Sequence, residues 1–205
     1  MSIVIDIETA PIPVNELPAK NKEYLIEKSK PKKSKKIIIG EGYGNGAIGK
    51  FELSKILCCC VKEDDKEIEA FFGDSEAGII SDVFNMLKNQ DHIIGFNSNS
   101  FDLPLIKMRG LIHGLYTYAI DFNIKPWDLR CVDVRYQLTD KYGIGDLKYW
   151  ARVFGIAPPK WDEGMDKSDL SQYPIEQVVK ACKSDVQCTY ELYNRLNNAM
   201  NKESK

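Results

Sequence analysis

The 205-residue chain lacks an apolar run long enough to cross a bilayer, and its N-terminus lacks the charged start, long hydrophobic stretch and small-residue cleavage site of a secretory leader. A soluble, cytoplasmic protein without membrane association is therefore expected. Charge of one sign is not in excess: 28 basic residues face 30 acidic ones, which excludes a surface that is one polyanion-binding field and confines any nucleic-acid contact to a local patch. Histidine is scarce, with His92 opening an expected strand and His113 ending an expected helix, and both read as structural. Cysteine is present without a framework. Three of the six are adjacent, Cys58, Cys59 and Cys60, which fits neither a secreted disulfide scaffold nor a C-x-x-C zinc site. They read as small reduced hydrophobes of a buried strand, with a soft-metal role as the rarer alternative. Internal repeats are missing too.

What is present is 43% hydrophobic sequence, enough for one sizeable core, and a single domain over residues 1–205 is expected. The opening IVIDIET reads as a β-branched strand closed by Thr9, Ala10, Pro11 and Pro13. Residues 14–50 start like a helix, run into the basic stretch KSKPKKSKK at 28–36 and continue into a glycine-rich stretch, so they read as an insertion or flap. KILCCCVK and IEAFFGD suggest a hairpin turning at EDDKE, and Asp74 or Ser75 caps a following helix. Next come a strand HIIGFN, an NSNS turn, a helix from about Phe101, a strand RCVDVRYQL and a helix DLKYWARVFG. A long last helix follows Pro174, with one apolar stripe from Ile175 to Leu196. Strands alternating with helices after a local hairpin predict an α/β fold with a mixed central sheet.

Four carboxylates interrupt this pattern. Asp6 and Glu8 leave one face of the first strand while Ile3, Ile5 and Ile7 occupy the other, a pattern that also suits an edge strand with one solvated face. Asp102 falls in the first turn of its helix with Ser100 as a suitable cap, a place where a carboxylate has ordinary structural reasons to sit. Asp185 lies within the apolar stripe of the last helix, where an ionised group is costly unless paired or bound to a cation; otherwise it sits at the rim of that stripe. Two such groups about 5 Å apart repel by roughly 3 kcal/mol at an effective dielectric of 20, so a cluster of four asks for a counter-ion. All-oxygen ligation suits Mg²⁺ or Mn²⁺ better than zinc.

In this order, D-I-E-T at Asp6–Thr9, N-x-x-x-F-D at Asn97–Asp102 and the late helical Asp185 resemble the motifs of the DnaQ-like, or DEDD, 3′-to-5′ exonuclease superfamily. KACKSDVQCTYELY is most similar to predicted exonucleases related to the proofreading domain of family-B DNA polymerases. The resemblance spans nearly the whole chain, with residues 14–50 least covered. It implies a ribonuclease H-like fold, a mixed five-stranded sheet flanked by helices, and a two-ion hydrolysis releasing nucleoside 5′-monophosphates. By the same resemblance, Asp6 bridges both ions, Glu8 and Asp185 hold the ion that carries the nucleophile, and Asp102 anchors the second. Thr9, Asn97 and Phe101 match positions that contact the terminal nucleotide in relatives. The implied substrate is single-stranded or frayed nucleic acid, DNA ahead of RNA, with a polymerase or replication and repair protein as a possible partner.

One departure stands out. The family places a Tyr four residues, or a His five residues, before the last Asp to orient water, and here those positions hold Ala181 and Lys180. Tyr142, Tyr173 and Lys183 are the candidate substitutes. The alternative is a catalytically impaired nucleic-acid-binding or partner-binding module. The basic run at 28–36 suits a phosphate backbone or a solvated loop equally, and Trp127, Trp150 and Trp161 read as packing residues.

Overall fold

The computed structural model describes residues 1–17, 19, 39–40, 42–43, 53–115, 130–139 and 144–202. The basic run at 28–36, Trp127 and Tyr142 lie outside the described residues. The strands are β1 (Ser2–Pro11), β2 (Ile39–Gly40), β3 (Gly42–Tyr43), β4 (Ser54–Glu63), β5 (Glu69–Phe72), β6 (His92–Gly95) and β7 (Cys131–Asp133). The helices are α1 (Glu76–Leu87), α2 (Asp102–Ile112), α3 (Val134–Thr139), α4 (Leu147–Val153) and α5 (Ile175–Lys202). Five strands form one mixed sheet in the order β5-β4-β1-β6-β7, while β2 and β3 pair separately. β1 runs antiparallel to β4 and parallel to β6, and β6 runs parallel to β7.

The sheet is covered on both sides, which explains why its central strands are so apolar. On one side Ile3, Ile5 and Ile7 of β1 pack with Ile79, Ile80, Val83 and Leu87 of α1 and Leu103, Leu105 and Ile106 of α2. On the other, Val4, Cys58, Cys60 and Ile94 meet Val178, Val179, Cys182, Val186 and Leu192 of α5, with Ala151 of α4. The period-2 alternation of β1 therefore sends Asp6 and Glu8 toward α5. A bulge accompanies them: Glu8 pairs with Cys58 but Thr9 with Ile56, so Leu57 is the extra residue on β4.

Two local details differ from the sequence reading. The segment RCVDVRYQL is a strand only over Cys131–Asp133, because the Asp133 carboxylate accepts the Tyr136 N–H at 3.2 Å and starts α3 in the manner of a cap. Ser100 does not cap α2: it belongs to the preceding turn, where its N–H bonds the Asn97 carbonyl at 3.1 Å. The N-cap position falls one residue later, on Phe101, without a side-chain cap, and the helix begins at Asp102. By contrast Ser75 does cap α1, accepting from the Gly78 N–H at 3.2 Å.

Gly95 closes β6 where the chain turns back on the sheet, and a Cβ there would lie 2.5 Å from the Ser98 Cβ and 3.2 Å from the Ile5 carbonyl oxygen. Only a residue without a side chain allows that approach. A buried ion pair ties α1 and α2 to β4: Glu76 accepts from Arg109 Nε at 2.8 Å and Nη2 at 2.5 Å, from the Ile56 N–H at 2.8 Å, and meets His113 Nε2 at 2.8 Å. Burial acts to raise the Glu76 carboxyl, yet these donors outweigh it and hold it below the usual range. Glu76→Gln is expected to cost about 3 kcal/mol, since it leaves a buried guanidinium without its counter-charge. Urea unfolding at neutral pH checks this, and the wild-type advantage should shrink as pH falls through the depressed Glu76 pKa.

Candidate active site

The second half of β1 has no β6 partner, because that ladder ends at Val4 paired with Ile94. In the gap the Asp102 side chain at the start of α2 accepts the Ile7 N–H at 3.2 Å through Oδ1. Asp102 is 5% exposed, so this bond fixes a buried carboxylate beside the strand that carries Asp6 and Glu8. From the opposite face, Cys182 of α5 lays its Sγ 3.5 Å from both the Asp6 carbonyl oxygen and Asp6 Oδ2. A carboxylate oxygen of Asp6, one of Glu8 and the Cys182 sulfur all lie within 4.8 Å of one another. Asp185 follows Cys182 by almost one helical turn and so faces the same end of β1.

The four carboxylates feel one another. Burial pushes the Asp6 carboxyl well above the usual range, and Glu8, Asp102 and Asp185 push further, against a lowering contribution from Cys182. Burial likewise raises Glu8, helped by the charges of Asp185 and Asp102. Burial moves Asp102 up to about 7 despite its backbone hydrogen bonds, and it also raises Asp185. An array of buried and half-buried carboxyls that resist ionisation is a site short of positive charge. The donor set is hard oxygen from three chain segments, and it fits small divalent cations such as Mg²⁺ or Mn²⁺.

Two residues that the sequence left without a role stand at this centre. Trp161 donates its indole Nε1–H to both oxygens of Asp185, at 3.1 and 3.2 Å. Lys167 places Nζ 3.5 Å from the centroid of the Trp161 ring, and its charge lowers both Glu8 and Asp185. Both lie on the irregular segment between α4 and α5, where no periodicity marks them, and their proximity to the carboxylates exists only in the folded chain. Trp161 is thus a hydrogen-bond donor to Asp185 rather than only a packing residue.

The remaining expected residues are distributed less evenly. Thr9 sits just past the bulge, half-buried on β1. Asn97 adopts a left-handed φ of 64°, its N–H bonds Asp133 Oδ1 at 2.9 Å, and its side-chain oxygen accepts from Arg135 at 2.8 Å. Asp133 also takes the Asn99 N–H at 3.2 Å, so this carboxylate, unnoticed in the sequence, clamps the turn that leads to Asp102. Phe101 is half-buried against the α1–α2 side of the core. Ala181 is buried and Lys180 pairs with Asp162 at 3.0 Å. The Tyr173 hydroxyl is engaged by the 164–166 loop, accepting from the Asp166 N–H at 2.7 Å and bonding the Gly164 carbonyl at 3.3 Å.

Residues 51–204 match the family model described as "Predicted 3'-5' exonuclease related to the exonuclease domain of PolB". The chain belongs to this exonuclease family. Its structure is similar to the family B DNA polymerase from the hyperthermophilic archaeon Pyrobaculum calidifontis, with a TM-score of 0.63 and 16% identity. That match covers 95% of this chain and 24% of the polymerase, so the chain spans about a quarter of the length of that protein. At this identity the likeness speaks for the fold, which is ribonuclease H-like. No curated protein matches by sequence. No helix among the described residues is long and apolar enough to cross a membrane.

Proposed function

We propose that the chain is a metal-dependent 3′-to-5′ exonuclease that removes nucleoside 5′-monophosphates from single-stranded or frayed DNA. The observation that carries this reading is the approach of Asp6, Glu8, Asp102 and Asp185 around the end of β1, each with a carboxyl raised chiefly by burial. Asp6, Glu8, Asp102 and Asp185 would hold two ions, Mg²⁺ or Mn²⁺. When bound, such ions supply the Lewis acidity that activates water and stabilises a leaving 3′ oxygen. Thr9, Asn97 and Phe101 would seat the terminal nucleotide, Phe101 through an apolar or stacking contact. The test is release of label from a 3′-labelled single-stranded oligonucleotide with Mg²⁺ or Mn²⁺, compared with the same sequence as RNA and as a duplex.

Trp161 would set the orientation of Asp185 through its paired indole contact. Trp161→Phe keeps the ring and loses the donor, and it is expected to weaken Mn²⁺ binding and slow hydrolysis by roughly 10- to 100-fold. Calorimetry of Mn²⁺ binding beside the rate assay checks both. Lys167 is the cation best placed to act on water or on the scissile phosphate, where Ala181 and Lys180 cannot serve. Lys167→Gln is expected to lower the maximal rate by about 10²-fold, the usual weight of a proton-transfer group, while tightening Mn²⁺ by removing a competing charge. A rise in KM alone would assign Lys167 to substrate binding.

A second reading, a nucleic-acid-binding or partner-binding module with impaired catalysis, draws on the buried Ala181 and the Lys180–Asp162 pair at the water-orienting positions. It predicts oligonucleotide binding without release at any Mn²⁺ concentration.

A further inference from the structure

We propose that Cys58, Cys60 and Cys182 form a three-sulfur site for a trivalent thiophilic metalloid hydroxide, arsenous acid being the simplest member of the class. The strand alternation of β4 sorts its three adjacent cysteines onto two faces. Cys59 enters the cluster with Ile3 and Ile80, while Cys58 and Cys60 face α5. Cys182 descends from that helix between them, and the three sulfur atoms lie within 4.8 Å of one another. Three sulfurs each about 2.3 Å from a pyramidal trivalent centre stand roughly 3.5 Å apart, so modest side-chain adjustments close the site.

The identity of the guest follows from softness and charge. Thiol sulfur selects soft centres over the hard ions that suit the neighbouring carboxylates. All three cysteines are fully buried among Val4, Val178 and Val186, where a net charge is costly. A divalent ion bound by three thiolates keeps a negative charge, and it would do so beside Asp6, which Cys182 already touches. A trivalent centre leaves none. In the reaction three As–O bonds break and three As–S bonds form, each thiol proton leaves with a hydroxide as water, and arsenic stays trivalent throughout. The complex is neutral, so no net charge is left among the buried apolar side chains. The site adjoins the carboxylates through Cys182, but its capture of arsenic needs no metal on them.

The test treats the full chain with arsenite and reads it by native mass spectrometry, with thiol protection mapped by differential alkylation. The expected result is one arsenic per chain with three protons lost, protecting Cys58, Cys60 and Cys182 and leaving Cys59, Cys131 and Cys188 open to alkylation after unfolding. Cys60→Ala or Cys182→Ala should weaken capture by about 10²-fold, the advantage of the third tethered sulfur, while Cys188→Ala binds as the wild type does. Circular dichroism and the unfolding midpoint establish that each variant is folded, and the wild-type protection map stands without any variant. Absence of an adduct, protection of Cys59, Cys131 or Cys188 instead, or unchanged affinity in folded Cys60→Ala would overturn the proposal.

Discussion

Asp6→Ala is expected to abolish nucleotide release, lowering the rate by roughly 10³-fold or more, on the order of 4 kcal/mol of transition-state stabilisation. Asp6 is the carboxylate on which the other three act: Glu8, Asp102 and Asp185 each raise it, and Cys182 holds it against α5. Its loss should remove Mn²⁺ binding from calorimetric titrations while leaving a folded protein, because the substitution relieves like-charge repulsion. The two effects together separate a site residue from a merely structural one. An Asp6→Ala protein that still binds two ions and still releases nucleotide would remove the basis of the nuclease reading.

The second large effect is on stability. In the metal-free chain, Asp6, Glu8, Asp102 and Asp185 have carboxyls raised above their unfolded values, Asp102 to about 7. A raised acid keeps its proton in the fold after the open chain has lost its own, so stability is full below the ordinary carboxylate range near pH 4 and falls as pH climbs to about 7 and beyond. Each group contributes up to about 1.4 kcal/mol per pH unit while its two states differ. The expected outcome is an unfolding free energy that drops between pH 5 and 8 in EDTA by several kcal/mol, lowering the midpoint, and recovers when Mn²⁺ binds the folded form alone. Asp102→Asn should flatten the profile. A midpoint indifferent to both pH and Mn²⁺ would mean that the four carboxylates do not act as one centre.

Much of this centre was legible in the chain because the carboxylates break strong local patterns. Asp6 and Glu8 interrupt a β-branched strand, and Asp185 sits in the stripe that buries Val178, Cys182 and Val186. Long periodic elements such as α5 and the β4–β5 hairpin were equally plain. What stayed hidden depends on contacts between distant segments. Asp133 looks like one more residue of a strand until its carboxylate is seen taking the N–H groups of Asn97, Asn99 and Tyr136. Trp161 lies 24 residues before Asp185 on a loop, and nothing in its neighbourhood foretells an indole aimed at that carboxylate. Strand alternation puts Cys58 and Cys60 on one face, but only the docking of α5 supplies the third thiol.

The centre draws on the second residue pair of β1, the start of α2 and the middle of α5, so its donors span positions 6 to 185. During synthesis the chain emerges from its N-terminus, and β1 is finished long before α5 has left the ribosome. Until that helix docks, Asp6 lacks Asp185 as a companion and Cys182 as its neighbour. On the proposed reading, the gathering of donors from positions 6 to 185 would work as an assembly check: a nascent or partly unfolded copy would lack the assembled carboxylates and could not cut nucleic acid around it.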